Sequence, residues 1–434
     1  MQLYSTKNKN YKVSLQTAVM QGLPPDNGLY MPEHIAPLSA DFFKRLPEMD
    51  LPEIGFEICK HLFEGCIPEA DLRDIVAKAM TFPATIVPVQ RDIYSLELWH
   101  GPSLAFKDFG ARFMAALMSY FNRGNDQKLT ILVATSGDTG GAVANGFYQT
   151  EGIEVVILYP SGKVSNLQEK QLTTLGHNIR ALEVQGTFDD CQALVKQAFL
   201  DAELKKHARF SSANSINIAR LIPQSFYYFE AYKQLQLANK TNKDVVFAIP
   251  SGNFGNLTAG LFAKRMGLPI QRFIAATNDN DVVPQYLQTG EYAPRPSVAT
   301  LSNAMDVGAP SNFARMQDLY GSDWQSVRND IIGYTLSDQA TSEAIVEMNR
   351  AGYLLDPHGA VAFSALRQYQ KNNDCTGVFL ETAHPAKFLD DVERILDSKI
   401  DIPARLAALQ NKEKVAVLMP NNYQMFKSWL LINV

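Results

Sequence analysis

One lysine of the sequence lies in the kind of apolar setting that amine chemistry requires. In the stretch LWHGPSLAFKDFG, Lys107 follows the apolar triplet 104–106 and precedes Asp108 and Phe109. Apolar surroundings lower the pKa of a lysine and so favour the neutral, nucleophilic amine. Because most lysines are solvated, the stretch taken alone also fits a lysine on an exposed helix face.

A glycine-rich turn follows the apolar run LTILVA. The turn TSGDTGGA contains the hydroxyls of Ser136 and Thr139, and its glycines let the backbone approach a ligand closely. Backbone N–H groups at the start of the helix predicted after it favour an anion. The nucleotide-binding pattern G-x-x-x-x-G-K-[ST] is absent. The same letters also fit an ordinary strand-to-helix turn with a capping side chain.

A second turn of this kind, PSGNFGNLTAG, follows the apolar run DVVFAI. Gly252 and Gly255 precede a predicted helix, so N–H groups can form a nest suited to a dianionic phosphate. The turn contains no lysine or arginine, and recognition would rest on backbone donors with Ser251, Asn253 and Asn256. Two such turns at two strand ends indicate ligand binding more strongly than one does.

Two further segments carry polar groups. ETAHPAKF closes the last strong apolar run and offers the hydroxyl of Thr382, whereas its His384 fits a packed loop histidine. In SSANSINIAR, Arg220 follows Asn217 at helical spacing and can bind a phosphate or carboxylate with two parallel hydrogen bonds. A run of Ser and Asn is also typical of a loop or a helix cap.

An alternation of strands and helices must position these segments. Short, nearly continuous apolar runs are typical of strands buried on both faces, and they lie at residues 129–135, 154–160, 244–250, 272–277 and 376–382. Amphipathic segments lie between them, which predicts an α/β fold with parallel sheets in more than one lobe. Ligands of such sheets bind beyond the carboxyl ends of the strands. Residues 1–95 differ in pattern from the rest of the chain and predict a separate N-terminal segment, with residues 96–434 as the catalytic region.

Composition argues against several classes of partner. The 434 residues suffice for two or three domains, and a net charge of −5 without a basic block does not support nucleic-acid binding. No apolar run reaches membrane-spanning length, and the start of the chain lacks the apolar core of a secretory signal. The histidines lack metal-binding spacing, and no C-x-x-C pair occurs among Cys59, Cys66, Cys191 and Cys375. We therefore expect a cytoplasmic protein without a metal site.

Taken in order, the motifs resemble the threonine synthase family of pyridoxal phosphate enzymes, and most of all its long bacterial and fungal branch. The resemblance runs through essentially the whole chain, in GLPPDNGLYMP, HGPSLAFKDFG, ATSGDTGGAVA, ILYPSGKVSNLQEKQ, NSINIARLIPQ, IPSGNFGNLTAG, TLSNAMDVGAPSN and TAHPAKF. It implies the fold type II architecture shared with tryptophan synthase β. In that architecture two α/β lobes face each other with the cofactor between them, here with an added N-terminal segment.

The resemblance implies how the cofactor, pyridoxal 5′-phosphate, is held. Lys107 is expected to form the Schiff base with it. Thr382 is expected to face the pyridine nitrogen, where a neutral hydroxyl does not enforce a pyridinium. The cofactor phosphate is expected on Gly252, Asn253, Phe254, Gly255 and Asn256, largely through their backbone N–H groups.

One position of the cofactor site departs from related enzymes. Many fold type II enzymes have an asparagine at the place of Asp138, and it bonds the 3′-oxygen of the cofactor. A carboxylate beside a phenolate repels unless a proton lies between them. The long branch of the family also uses SGDTG, so Asp138 agrees with the resemblance and leaves the protonation state of the pair open.

The implied reaction converts O-phospho-L-homoserine and water to L-threonine and phosphate, the last step of threonine biosynthesis, in a monomer or homodimer. Ser136 and Thr139 are the expected donors to the substrate carboxylate. The candidates for its phosphate are Ser103, Ser215, Asn217 and Arg220.

The sequence leaves two alternatives open. A serine or threonine dehydratase would keep the cofactor and most of the motifs but needs no site for a second phosphate, which NSINIAR supports. A catalytically silent relative that binds a metabolite would be expected to have lost the lysine or one of the anion turns, and this chain contains them all.

Overall fold

The structure is a computed structural model that describes residues 1–434. Its strands are β1 (Gln2–Ser5), β2 (Asn8–Ser14), β3 (Tyr30–Pro32), β4 (Thr85–Gln90), β5 (Ile93–Glu97), β6 (Leu129–Ala134), β7 (Ile153–Pro160), β8 (Ile179–Gln185), β9 (Arg209–Ser212), β10 (Val245–Pro250), β11 (Arg272–Thr277), β12 (Ile331–Thr335), β13 (Thr376–Glu381) and β14 (Val417–Pro420).

The helices alternate with these strands along most of the chain. They are α1 (Leu15–Gln21), α2 (Ala40–Arg45), α3 (Leu51–Phe63), α4 (Glu69–Ala79), α5 (Lys107–Asn122), α6 (Asp138–Phe147), α7 (Asn166–Thr173), α8 (Phe188–Leu200), α9 (Ala202–His207), α10 (Ile218–Leu221), α11 (Phe226–Leu237), α12 (Gly255–Arg265), α13 (Val282–Thr289), α14 (Phe313–Leu319), α15 (Trp324–Asp330), α16 (Asp338–Arg350), α17 (Pro357–Gln370), α18 (Leu389–Leu396), α19 (Ala404–Gln410) and α20 (Tyr423–Asn433). Short 3-10 helices lie at Leu46–Glu48, Ile222–Ser225, Asn303–Met305 and Pro385–Phe388.

The strands form three sheets. One sheet has the order β12-β11-β10-β13-β5-β4, and only β4 at its edge runs antiparallel to its neighbour. The second has the order β14-β8-β7-β6-β9 and is parallel throughout. A small antiparallel sheet, β2-β1-β3, lies in the N-terminal segment. The predicted α/β fold with parallel sheets in two lobes is therefore confirmed.

Burial explains why the sequences of the central strands are almost continuously apolar. Every residue of β6, β10 and β13 is buried. A strand covered by helices on both faces has no solvent side, so its sequence does not alternate between apolar and polar residues. Their observed bounds lie within a residue of the predicted runs 129–135, 244–250 and 376–382 at each end.

The N-terminal segment shares its core with the rest of the chain. A single cluster of 82 buried apolar residues includes Leu15 and Phe63 from this segment together with Ile131 and Phe247 from the two large sheets. Since β4 and β5 belong to the six-stranded sheet, the sheet favours a boundary between α4 and β4. The division at residue 95 stays a prediction. None of the helices combines the length and apolar character needed to cross a membrane.

Candidate active site

The predicted site residues lie at helix starts and in turns beyond the carboxyl ends of the parallel strands. Lys107 is the first residue of α5, and Asp138 is the first residue of α6, which follows β6. Residues 251–254 connect β10 to α12, and Thr382 directly follows β13. Residues 213–217 connect β9 to α10. Contacts between these turns bring the ends of the two large sheets together.

A short antiparallel bridge fixes the start of α5 beside the end of β13. Ala105 pairs with Ala383. The backbone nitrogen of Phe106 donates to the carbonyl oxygen of Thr382 at 2.8 Å. The bridge therefore places Lys107 next to the segment that carries the Thr382 hydroxyl, which itself forms no hydrogen bond within the protein.

The Lys107 amine is available for reaction. The side chain is partly buried, and its amine forms no hydrogen bond or ion pair with the protein. Burial lowers the pKa of Lys107 to about 8, an effect that the Asp138 carboxylate opposes and that the cations of Lys387 and Arg220 reinforce. The neutral fraction of the amine at pH 7 is therefore about a tenth, which is far more than for a solvated lysine.

The turn after β10 presents a row of free backbone donors. None of the amides from residue 252 to residue 257 donates a hydrogen bond within the protein. Phe254, with a left-handed φ of 59°, precedes the first residue of α12, and no side chain caps this helix. Free N–H groups at a helix start bind phosphate, because they are donors at the positive end of the helix dipole.

Two tyrosines orient the Asn256 side chain in this turn. The hydroxyls of Tyr227 and Tyr228 each donate to Asn256 Oδ1 at 2.7 Å. Since both donors approach the oxygen, the orientation of the amide is set. Asn256 Nδ2 is buried and has no acceptor in the protein. The side chain therefore adds an unsatisfied donor to the free amides of the same turn.

Asn253 joins the turns of the two large sheets. Its Nδ2 donates to Ser215 Oγ at 2.8 Å. Its Oδ1 accepts from the backbone nitrogen of Ser311 at 2.6 Å, and its carbonyl oxygen accepts from Asn312 Nδ2 at 3.0 Å. The side chain of Asn253 is thus occupied in fixing the turn, which leaves the backbone as the ligand-binding part.

The turn after β6 has a conformation that only glycine adopts readily. Gly137 has φ 142° and ψ −88°. Thr135 Oγ1 accepts from the backbone nitrogens of Gly137 at 3.0 Å and Gly140 at 2.8 Å. Ser136 is exposed and Thr139 is partly buried, and neither hydroxyl is bonded within the protein. Both remain free for a carboxylate.

The candidates for the substrate phosphate differ in how far their polar atoms already form hydrogen bonds within the protein. Arg220 is buried and unpaired with any carboxylate, its guanidinium donates to the Ala213 carbonyl oxygen, and burial lowers its pKa to about 10. Ser103 Oγ is buried without a partner. Asn217, by contrast, caps α10 and donates to the Val19 carbonyl oxygen at 2.9 Å. Its polar atoms are therefore engaged within the protein.

Asp138 is held by a lysine that the sequence motifs did not single out. Lys387 Nζ lies 2.7 Å from Asp138 Oδ1, and its side chain is completely buried. Gln168 Nε2 donates to the same oxygen at 2.9 Å. Burial raises the pKa of Asp138, but the Lys387 and Lys107 ammoniums outweigh it and hold that pKa well below its usual range. Asp138 is therefore a carboxylate.

A signal for Lys387 was present in the sequence. It follows Pro385 and Ala386 and precedes Phe388, which is an apolar setting like that of Lys107. A buried carboxylate in a turn suited to anions requires a buried cation nearby. Joining these two facts would have required knowing that TAHPAKF and TSGDTGG meet in space.

The donor set fits the charge and the functional groups of pyridoxal phosphate. The free amides of residues 252–257 suit its phosphate, the unpaired Lys107 amine suits its aldehyde, and the Thr382 hydroxyl suits its ring nitrogen. These groups come from three turns that lie together at the ends of the two large sheets.

Comparison with known proteins agrees with this arrangement. The chain matches the family models described as pyridoxal-phosphate dependent enzyme over residues 85–377, threonine synthase N terminus over residues 2–80, and threonine synthase, C-terminal, over residues 359–429. It is 49% identical over 431 residues to the threonine synthase of Haemophilus influenzae, with 99% of this chain and 100% of that protein covered. The chain belongs to the threonine synthase family.

Solved structures of threonine synthases have the same fold. The enzyme from Escherichia coli superposes with a TM-score of 0.93 at 44% identity, with 100% of both chains covered. The pyridoxal-phosphate-bound threonine synthase from Brucella melitensis gives 0.92 at 34% identity, with 100% of this chain and 99% of that chain covered. The predicted family, fold type and cofactor are confirmed. The roles of individual residues stay predictions.

Proposed function

We propose that this chain converts O-phospho-L-homoserine and water to L-threonine and phosphate, with Lys107 as the catalytic residue. The observation that supports the proposal, beside family membership, is the unpaired Lys107 amine next to turns that offer free donors to anions. A substrate with a carboxylate and a phosphate needs such donors in addition to those that hold the cofactor.

The cofactor would be held by groups that have no other partner. The amides of residues 252–257 would bind its phosphate, Thr382 would face its pyridine nitrogen, and Lys107 would bind its aldehyde carbon. When bound, pyridoxal phosphate supplies an electron sink for the electron pair left when a substrate carbon loses its proton.

Lys107 would carry the protons of the reaction. Its Nζ would accept the proton from the substrate α-carbon and later one from the β-carbon. One of these protons would go to the γ-carbon and the other would leave with the phosphate, after which water would add its hydroxyl at the β-carbon and its remaining proton at the α-carbon. Asp138 is a poor rival for this task, because its pKa is held well below the usual range. One positioned base with a pKa near the working pH suits a series of transfers.

The substrate would be oriented by its two anionic groups. Ser136 and Thr139, with the first amides of α6, would bind the carboxylate. Arg220, with Ser103 and Ser215, would stabilise the charge on the departing phosphate, since a buried cation acts strongly where water is excluded. Asn217 would act indirectly, because it caps α10, the helix that carries Arg220.

The setting proposed for this reaction is the cytoplasm, with a small-molecule substrate and a monomeric or homodimeric enzyme. The cysteines support it, because all of them are free thiols and only Cys66 is exposed. Thiols persist in reducing compartments.

The test is an assay of threonine and phosphate formed from O-phospho-L-homoserine, with and without added pyridoxal phosphate. Equimolar threonine and phosphate that depend on the cofactor are the expected result. Neither product from protein loaded with cofactor, together with oxoacid and ammonia from serine or threonine, would establish a dehydratase instead.

A further inference from the structure

Two lysines face one carboxylate in this site. Lys387 Nζ lies 2.7 Å from Asp138 Oδ1, with both side chains buried. The charge of the same carboxylate raises the pKa of Lys107, but the two groups form no ion pair. Lys387 therefore forms the ion pair with this carboxylate, whereas Lys107 does not.

Lys387 is held in this position from several sides. Its Nζ also donates to the carbonyl oxygen of Ser103 at 2.8 Å, and that oxygen accepts a further bond from Gln171 Nε2 at 3.1 Å. Asp138 is fixed in turn by Gln168 at 2.9 Å. Three segments thus meet at the Lys387 ammonium, namely the turn before α5, the start of α6 and the 3-10 helix Pro385–Phe388.

The ion pair between Lys387 and Asp138 affects the protonation state of Lys107. A carboxylate within about 4–6 Å favours the ammonium form of a lysine by about 1–3 pH units. Without a second cation, Asp138 would pair with Lys107 and hold it protonated. Lys387 both occupies the carboxylate and adds a positive charge that disfavours protonation of Lys107.

We propose that Lys387 is a positioning residue for the reaction: by holding Asp138 it prevents this carboxylate from pairing with Lys107 and so leaves the Lys107 amine free to transfer protons. The inference rests on the proposed function in one respect, since it takes Lys107 as the catalytic residue.

The charged groups that face Lys107 are few. They are Asp138 from α6, Lys387 from the 3-10 helix and Arg220 from α10. Asp108, which follows Lys107 on α5, accepts a bond from the Ser103 backbone nitrogen at 2.8 Å. Any change in the titration of Lys107 can therefore be assigned with a small set of variants.

The test measures the titration of Lys107 in the full-length chain freed of cofactor. Acetic anhydride acetylates neutral amines, so the extent of Lys107 acetylation at a series of pH values, read by mass spectrometry, gives a midpoint. The exposed Lys44 is the internal reference. We expect Lys387→Met to raise the Lys107 midpoint by about 1 pH unit or more. The rising limb of the pH–rate profile of the holoenzyme should move in the same direction.

A matched control is available in another buried lysine. Lys233 Nζ pairs with Glu230 Oε2 at 2.7 Å and donates to the Met49 carbonyl oxygen at 2.9 Å, so Lys233→Met removes a comparable ion pair elsewhere. This variant should leave the Lys107 midpoint unchanged. An unchanged midpoint in folded Lys387→Met, or an equal rise in Lys233→Met, would overturn the inference.

A second pair of variants covers the case in which Lys387→Met does not fold. Asp138→Asn should lower the Lys107 midpoint, because it removes the attracting carboxylate. In the double variant Asp138→Asn, Lys387→Met no carboxylate is left for Lys107 to pair with, so its midpoint should lie close to that of Asp138→Asn. A rise of about 1 pH unit or more from Asp138→Asn to the double variant would overturn the inference, because Lys387 would then act through its own charge and not through Asp138. Turnover retained by Lys107→Ala would instead overturn the proposed function, so the two failures are distinguishable.

Discussion

The backbone nitrogen of Phe106, the residue immediately before Lys107, donates to the carbonyl oxygen of Thr382 at 2.8 Å. This bond, with the bridge between Ala105 and Ala383, ties two motifs that are far apart in the sequence into one unit. A shift of the segment after β13 would therefore move the start of α5 with it. Lys107 and the Thr382 hydroxyl are placed relative to each other by backbone, which side-chain changes disturb little.

Removal of the Lys107 amine should abolish the reaction. Lys107→Ala leaves no other base beside the reacting carbon, and we expect turnover to fall by at least about 10³-fold. The visible absorbance that the lysine gives the bound cofactor should disappear as well. Both are measured on purified protein, with Lys44→Ala as the control for loss of an exposed lysine. Turnover near that of the unchanged protein would contradict the assignment.

The Thr382 hydroxyl should affect rate rather than the lysine linkage. Thr382→Val keeps the shape and the backbone bond to Phe106 but removes the only group of that side chain able to bond the ring nitrogen. We expect kcat to fall by about tenfold, as for one lost hydrogen bond in a buried site, with a changed absorbance spectrum. Thr382→Ser should behave like the unchanged protein. Equal effects of the two substitutions would indicate a packing role instead.

The sequence predicted the elements that bury apolar surface locally, and it missed those defined by distant contacts. The runs 129–135 and 376–382 correspond closely to β6 and β13, because a strand covered on both faces is continuously apolar. The sheet of β1, β2 and β3 was not predicted, since β2 is mostly exposed and its sequence NKNYKVS has few apolar residues. Lys387 was missed for a related reason, because its partner Asp138 lies in a distant motif.

The two tyrosines behind Asn256 should contribute to retention of the cofactor. Tyr227→Phe and Tyr228→Phe each remove one donor to Asn256 Oδ1 and loosen the orientation of its amide. A net hydrogen bond contributes about 1 kcal/mol, so each variant should bind pyridoxal phosphate several-fold more weakly. Equilibrium dialysis measures this affinity, and Tyr120→Phe is the control. Full retention in the Tyr227, Tyr228 double variant would show that the orientation of Asn256 does not matter.

Asp108 should make stability depend on pH in the acid range. Burial raises the pKa of Asp108 to about 6, above its ordinary value of about 3.9 in an unfolded chain. Between these values the folded protein keeps a proton that the unfolded chain releases, so the stabilising contribution is complete below about pH 4 and is lost as the pH rises through 6. The loss is about 3 kcal/mol.

Asp108→Asn should remove this dependence while keeping an oxygen to accept the bond from the Ser103 nitrogen. The difference in free energy of unfolding, unchanged protein minus variant, should therefore fall by about 2 kcal/mol between pH 4 and pH 7, which is most of the whole loss, because the unfolded chain has already released about half of this proton at pH 4. Urea unfolding at several pH values measures it, with the exposed Asp126→Asn as control. A difference that is constant with pH would show that Asp108 is ionised in the fold over this whole range.

Gly137 should be intolerant of any side chain, for two separate reasons. Its φ of 142° lies where residues with a Cβ are strained, and a Cβ built there would lie 2.9 Å from the Cδ and Oε1 atoms of Gln168. Gln168 in turn holds Asp138. Gly137→Ala should therefore destabilise the protein by about 1–3 kcal/mol and should also displace the turn that carries Ser136 and Thr139.

Gly162→Ala is the matched control, since Gly162 also has a positive φ, 67°, but an added Cβ there meets nothing within 4 Å. That variant should lose about 1–2 kcal/mol of stability and keep its KM, whereas Gly137→Ala should raise KM by about tenfold or more. Equal KM values in the two variants would mean that the turn after β6 does not bind the substrate carboxylate, because only in Gly137→Ala is the geometry of that turn altered.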